Sequence, residues 1–171
     1  MTVAYVGVGS NVDPEANVPA ALRRLTRRVR VTGSSTFYRT AALRAPGTPP
    51  FANGVWRVET ELGPHELKFG ALRPIEEELG RKRTADEYAP RTIDLDVLLH
   101  GAAVVREPDL TLPDPDILER PFVAVPLWEL APDLALPGSG RRLADVVGAM
   151  SKAGLEPWPE LTRRLQAEVA G

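Results

Sequence analysis

Cysteine is absent from the 171 residues. That removes disulfide scaffolds, thiolate nucleophiles and cysteine zinc sites. The chain holds two histidines, His65 and His100, so at most a sparse histidine metal site remains. A basic excess is missing as well: 21 Lys and Arg face 23 Asp and Glu, a formal net charge of −2. A generic binder of nucleic acid or of an anionic membrane surface needs the opposite balance. Aromatic residues are 6% of the chain, and no aromatic RNA-recognition signature falls on a strand-like segment. No stretch approaches the roughly 18 apolar residues of a membrane-spanning helix. The first residues carry no basic region ahead of a short apolar run. They do not read as a signal peptide, and a cytoplasmic protein is expected. No Gly-Lys pair occurs, hence no P-loop, and Gly7-Val-Gly9 lacks the third glycine of a dinucleotide loop. A Gly-x-Ser-x-Gly elbow is also missing.

What is present suits a single globular domain. Hydrophobic residues are 43% of the chain, and the length allows one proper core. Of the basic residues, 18 are Arg and 3 are Lys. A genomic bias explains such a skew. So does a need for planar guanidinium groups, which clamp phosphate in two-point contacts.

Valine-rich residues 2–9 read as a buried strand. Asp13 or Asn11 offers an N-cap for a helix over 16–29. Val18, Ala21, Leu22, Leu25 and Val29 form its inner face, and Arg23, Arg24, Arg27 and Arg28 its outer one. Residues 29–39 are strand-like in composition. Residues 41–51 form a Pro/Gly loop, and 53–60 alternate as a half-buried strand. A second helix is expected over 64–79, kinked at Pro74 and closed by Gly80. After a charged loop, 92–99 form a further strand. A hairpin over 103–106 and 110–112 and helices near 120–130, 143–150 and 159–170 complete the chain. The class is α+β. The order β-α-β-β-α-β is that of a ferredoxin-like split core, with an added hairpin and C-terminal helices.

Asp94 and Asp96 stand two apart on a strand and share a face, roughly 6–7 Å from each other. Carboxylates so placed repel and lose hydration, so basic neighbours or bound cations must compensate. Few oxygen ligands suit Mg²⁺ shared with phosphate oxygens, and two such ions make a clamp for phosphoryl transfer. Arg81, Lys82, Arg83 and Arg91 bracket the loop leading to the pair. They read equally as salt-bridge partners or as the guanidinium side of a triphosphate site.

The segment Tyr88-Ala-Pro-Arg-Thr-Ile-Asp-Leu-Asp-Val-Leu-Leu resembles the signature of the 6-hydroxymethyl-7,8-dihydropterin pyrophosphokinase family. Val8-Gly9-Ser10-Asn11, Phe37-Tyr38-Arg39-Thr40, Asn53, Ile75-Glu76, Leu79-Gly80-Arg81-Lys82-Arg83 and Arg120-Pro-Phe122 fit it too. The match runs from residue 1 to about 150 and leaves 151–171 as a helical extension of a single domain. The resemblance implies transfer of pyrophosphate from ATP to a reduced pterin, releasing AMP, in folate biosynthesis. It implies that Asp94 and Asp96 hold two Mg²⁺ and that Arg81 and Arg91 act in catalysis. ATP would meet Glu76, Arg83, Tyr88, Thr111 and Arg120. The pterin would meet Thr40, Leu43, Phe51, Asn53, Tyr88 and Phe122. Partners would be small molecules, with no nucleic acid or membrane, and the chain a monomer.

The chain departs from the family in places. Asp114 stands where the family has His, Ala41-Ala42 replace prolines, and Phe51 and Tyr88 replace tyrosine and tryptophan. Thr84 and Asp109 stand where basic residues are common, which removes positive charge near ATP. Residues 41–51 and 81–91 are expected to close as lids. Two other readings remain: a binding protein of the same fold with salt-bridged aspartates, and an RNA-binding module using the arginines of 23–30.

Overall fold

β1 (Thr2–Ser10) forms where valine is densest, and it turns Ala4, Val6 and Val8 into the core. β4 (Phe51–Thr60) lies antiparallel beside it, pairing Gly9 with Asn53 and Gly7 with Val55. β5 (Asp94–His100) flanks the other side, pairing Gly9 with Asp94 and Gly7 with Asp96. The computed structural model describes residues 1–40, 49–81 and 91–171. Within them the sheet order is β5-β1-β4-β3 (Tyr38–Thr40)-β8 (Glu156–Pro157), with β2 (Arg30–Ser34) also on β4, and every pair is antiparallel. β4 was expected to be half-buried, and its burial alternates accordingly: Ala52, Trp56, Val58 and Thr60 are buried on one face, while Phe51, Asn53, Arg57 and Glu59 on the other stay partly exposed beside buried Val55. No described helix is long and apolar enough to cross a membrane.

α1 (Pro14–Thr26) packs Val18, Ala21, Leu22 and Leu25 on the sheet, and it ends three residues before the expected stop. Asp13 takes a left-handed φ of 42° and makes no side-chain cap; its carbonyl receives the amides of Ala16 and Asn17 instead. Outer-face arginines are answered by acids. Arg24 and Arg28 reach Glu78 at 3.2 and 2.7 Å, and Arg23 reaches Glu168 at 3.3 Å.

The single helix expected over 64–79 divides. Wide π-type turns run over Glu66–Leu72, and α2 (Arg73–Glu78) follows. Pro74 is the physical reason: it has no N–H for the carbonyl one turn back and its ring crowds that carbonyl, which the wider turns accommodate. Gly80, at φ 80°, then ends α2. Its amide bonds the Glu77 carbonyl, and the Arg81 amide bonds the Glu76 carbonyl, both at 3.0 Å. This closing motif directs Arg81 back toward the helix it follows.

Residues 29–39 also divide, into β2 (Arg30–Ser34) and β3 (Tyr38–Thr40). At the break Phe37 turns fully inward and its ring lies over Gly54 of β4. Each amide of the break finds a different partner. Ser35 N–H donates to the Val55 carbonyl at 3.0 Å, Thr36 N–H to Glu129 at 2.7 Å, and Phe37 N–H to Thr162 Oγ1 at 2.8 Å.

The expected hairpin forms as β6 (Val105–Glu107) and β7 (Leu110–Leu112). α3 (Asp116–Glu119), α4 (Pro121–Leu130) and α5 (Leu143–Gly148) cover one face of the sheet, and Ala124, Leu127, Leu143 and Val147 pack there with Val55 and Leu98. α6 (Pro159–Ala170) returns to the other face, where Leu161 and Leu165 join the core. β8 (Glu156–Pro157) adds a short edge to β3. α3 and β8 were not expected: four residues and two residues, one of them proline, carry too little periodicity to signal an element.

A Cβ at Gly54 would lie 2.4 Å from the Phe37 ring. Gly54→Ala is expected to lower stability by about 3 kcal/mol, read from the urea midpoint.

Candidate active site

Four neighbouring strands place Asp94, Gly9, Asn53 and Tyr38 in one row, each directly opposite the next. Directly opposed residues share a face, so a carboxylate and a carboxamide flank a glycine. A Cβ at Gly9 would meet Asn53 Oδ1 at 3.0 Å and Asp94 Cβ at 3.9 Å. Gly9 is itself buried, and its missing side chain lets Asn53 and Asp94 stand close on either side.

Both oxygens of Asp94 are held. Arg81 Nη1 donates to Oδ1 at 2.6 Å, and Arg91 Nη1 donates to Oδ2 at 2.8 Å. The same Arg81 nitrogen donates to Glu76 Oε2 at 2.6 Å. Burial alone lowers the affinity of Arg81 for its proton, but the charges of Asp94 and Glu76 outweigh this, and its pKa rises. Glu76, expected at the nucleotide, is 1% exposed. Its carboxylate faces Arg81 and also accepts the Leu95 amide at 2.9 Å, on the open edge of β5. Charge-assisted bonds of this kind are strong where water is scarce.

Arg91 is set from the opposite side. Asn11 Oδ1 accepts the Arg91 amide at 2.7 Å, and the Asn11 amide donates to the Arg91 carbonyl at 3.0 Å. Ser10 Oγ donates to the Thr92 carbonyl at 2.6 Å. Asn11 therefore latches the approach to β5 and does not cap α1. Sequence reasoning gave Ser10-Asn11 no such role. The one signal was their place at the end of a buried strand, where polar side chains need partners.

Asp96 opens on a cleft of about 350 Å³ lined by Lys68, Arg73, Pro108, Asp109, Thr111 and Asp114, among others. Among the described residues no donor meets its carboxylate. Its side chain keeps contact with solvent at the cleft, but crowding by protein and repulsion from Asp94, Asp114 and Glu76 raise its pKa above the usual carboxylate value, with Arg81 opposing the rise. Asp114 turns into the same cleft. Burial pushes its pKa up to about 6, assisted by Asp116 and Asp94 and opposed by the Asp116 amide bond. These crowded carboxylates form an oxygen donor set that fits a hard divalent cation. Lys68 and Arg73 supply positive charge from the helical wall of the cleft, and sequence reasoning passed over both. They lie on the second helix, far in the chain from the aspartates, and nothing in the sequence pairs the two segments.

The other expected residues fall into two groups. Asn53 Nδ2 donates to Thr40 Oγ1 at 2.7 Å, and Phe51 pairs with Thr40 across β3 and β4. Arg120 stands between α3 and α4, 4.0 Å from Asp116, and Phe122 lies half-buried on α4. Leu43, Arg83, Thr84 and Tyr88 lie outside the described residues, as does most of each expected lid. Both histidines have partners, His65 in Glu107 at 2.5 Å and His100 in the Leu62 carbonyl at 2.8 Å.

The family model described as 7,8-dihydro-6-hydroxymethylpterin-pyrophosphokinase (HPPK) matches residues 5–132. A 2-amino-4-hydroxy-6-hydroxymethyldihydropteridine pyrophosphokinase of Haemophilus influenzae is 39% identical over 142 residues, 81% of this chain and 88% of that one. The enzyme of the same name from Pseudomonas aeruginosa is 39% identical over 158 residues, 91% of this chain and 96% of that one. Among solved structures, an HPPK-DHPS in complex with substrates matches with a TM-score of 0.65 at 11% identity, over 86% of this chain and 43% of that one. At that identity the likeness is one of fold, and this chain spans less than half of that one.

A folded-state pKa of about 6 for Asp114, above the ordinary 3.8, means that ionising it opposes folding. The penalty is full above pH 6 and disappears as pH falls toward 4. Asp114→Asn keeps an acceptor for the Asp116 amide. In metal-free buffer it is expected to raise stability at pH 7.5 by about 1–2 kcal/mol, allowing for partial solvent screening. The gain should vanish near pH 4, as read from denaturation midpoints across pH.

Proposed function

The chain belongs to the 7,8-dihydro-6-hydroxymethylpterin-pyrophosphokinase family, and on that footing we propose that it transfers pyrophosphate from ATP to 6-hydroxymethyl-7,8-dihydropterin, releasing AMP, in folate biosynthesis. Its curated relatives are named pyrophosphokinases, and it is an ATP-dependent diphosphotransferase like them. The observation that carries the reading is the row Asp94–Gly9–Asn53, which sets an arginine-clamped carboxylate and a carboxamide either side of a glycine.

In this reaction the pterin's hydroxymethyl oxygen attacks the β-phosphorus of ATP. The bond from that phosphorus to the α,β-bridging oxygen breaks, AMP departs, and the hydroxyl gives up its proton. Little covalent chemistry falls to the protein, so alignment and charge carry the rate. Asn53, with two donors and one acceptor group, reads the edge of the pterin, and Thr40 holds the amide's orientation. Phe51 and Phe122 line the ring pocket, together with Leu43 and Tyr88. Arg81 and Arg91 neutralise charge that develops on the transferring group, and Asn11 and Glu76 hold them in place. Thr111, Arg83 and Arg120 take the nucleotide, with Lys68 and Arg73 on the facing wall. Asp94 and Asp96 would hold two Mg²⁺ ions, which when bound neutralise the triphosphate. The strand order, with β5 and β4 flanking β1 and β2 beyond β4, supports a ferredoxin-like core.

The experiment is an assay of AMP formation from ATP and 6-hydroxymethyl-7,8-dihydropterin with Mg²⁺ or with EDTA. EDTA is expected to abolish turnover. Asp94→Asn and Asp96→Asn should each lower kcat by about 10²-fold or more, and Arg81→Lys by about 10²-fold. Unchanged activity in both aspartate variants would refute the two-metal site. No AMP formation by the wild-type protein with Mg²⁺ would refute the enzyme reading and favour a binding protein of the same fold.

A further inference from the structure

We propose that the C-terminal segment is a positioning element for the pterin side of the site, acting through Phe37. This rests on the reading that Asn53 and Thr40 receive the pterin.

Phe37 occupies the break between β2 and β3, where neither strand supplies its partners. The C-terminal segment supplies both. Thr162 Oγ1 accepts the Phe37 amide at 2.8 Å, and the Trp158 amide donates to the Phe37 carbonyl at 2.8 Å. Immediately before Trp158, β8 pairs Pro157 with Tyr38 and Glu156 with Arg39. The Arg39 guanidinium lies 4.1 Å over the Trp158 ring, a cation–π contact that ties β3 to the same segment.

Phe37 in turn sets the neighbours of the site. Its ring covers Gly54, the residue next to Asn53. The strand that leaves it is three residues long and ends at Thr40, which accepts the Asn53 side chain at 2.7 Å. So short a strand has few bonds of its own to hold its register, and β8 and Thr162 fix it at the other end. The phosphate side is secured separately, by Ser10, Asn11 and Glu76. Loosening the C-terminal anchor should therefore disturb pterin recognition and leave the ATP side alone. A purely structural role would not separate the two substrates.

The test uses full-length Thr162→Val and Trp158→Ala, with Thr162→Ser as the conservative rescue and Leu165→Ala as the control. Leu165 is fully buried and anchors α6 without touching Phe37 through a polar bond. Thr162→Val and Trp158→Ala are expected to raise the pterin KM about tenfold, the loss of roughly one well-made hydrogen bond or ring contact, with the ATP KM within about twofold. Thr162→Ser should restore the pterin KM. Leu165→Ala should lower Tm and leave both KM values unchanged. The proposal is overturned if the folded Thr162→Val protein keeps the wild-type pterin KM, or if both KM values rise together. It is also overturned if Leu165→Ala reproduces the pterin effect. Asn53→Ala separates the two readings. If it leaves the pterin KM unchanged, the site assignment fails and this proposal with it. If it raises the pterin KM while Thr162→Val does not, only the positioning role fails.

Discussion

The carboxylate of Asp94 sits between two guanidinium groups, and the rest of the site is arranged around that contact. Arg81 reaches it from the end of α2, and Arg91 from the chain entering β5. The two positive charges of Arg81 and Arg91 meet the two negative charges of Asp94 and Glu76, so the four groups neutralise one another. The arrangement is possible because buried Glu76 turns one oxygen to Arg81 and the edge amide of β5, and its other oxygen lies 3.8 Å from Arg73. A buried carboxylate without those partners would be strongly unfavourable.

Charge is divided across the molecule in the same way. The whole chain is nearly neutral, with a net charge of −2. The cleft nonetheless collects Asp96, Asp109 and Asp114 on one wall and Lys68 and Arg73 on the other. The raised proton affinities of Asp96 and Asp114 record the like-charge repulsion and lost hydration. Divalent cations relieve that strain directly, so the aspartates suit metal and the guanidiniums suit phosphate. The arginine excess is a mixed inheritance. Arg23, Arg24 and Arg28 decorate a helix and meet exposed acids, whose pairing contributes little. At Arg81 and Arg91 the planar fork has a site to serve.

The sheet explains why two half-sites can act as one. Antiparallel register alone brings Asp94, Gly9, Asn53 and Tyr38 into line from four strands. Each half is then fastened by a different set of contacts. The half around Asp94 depends on the polar end of β1 and the closing turn of α2, whereas the half around Asn53 adjoins the break at Phe37 and the segment that meets it. Gly9 and Gly54 serve opposite faces of this sheet. The first leaves room for the Asn53 side chain and the second for the Phe37 ring.

Much of this was legible in the sequence. The valine run, the alternation of residues 53–60, the apolar stripe of the first helix and the shared face of Asp94 and Asp96 are local patterns. They follow from the periods of strand and helix, and the structure has strands and helices at those places. The chemistry of the candidate site was legible for the same reason, since an Asp-x-Asp on a strand beside arginines limits what can bind there. The split of residues 29–39, the burial of Glu76, the latch of Asn11 on Arg91 and the edge strand β8 were not. Each is a contact between segments far apart in the chain. Phe37 and Thr162 are separated by 125 positions, and Asn11 and Arg91 by 80. The sequence by itself thus determined which faces are apolar and which residues bear charge, because those depend on neighbours along the chain. Only the tertiary structure decided which charges meet and which strand ends are held, because hydrogen bonds and ion pairs depend on distances that packing alone creates.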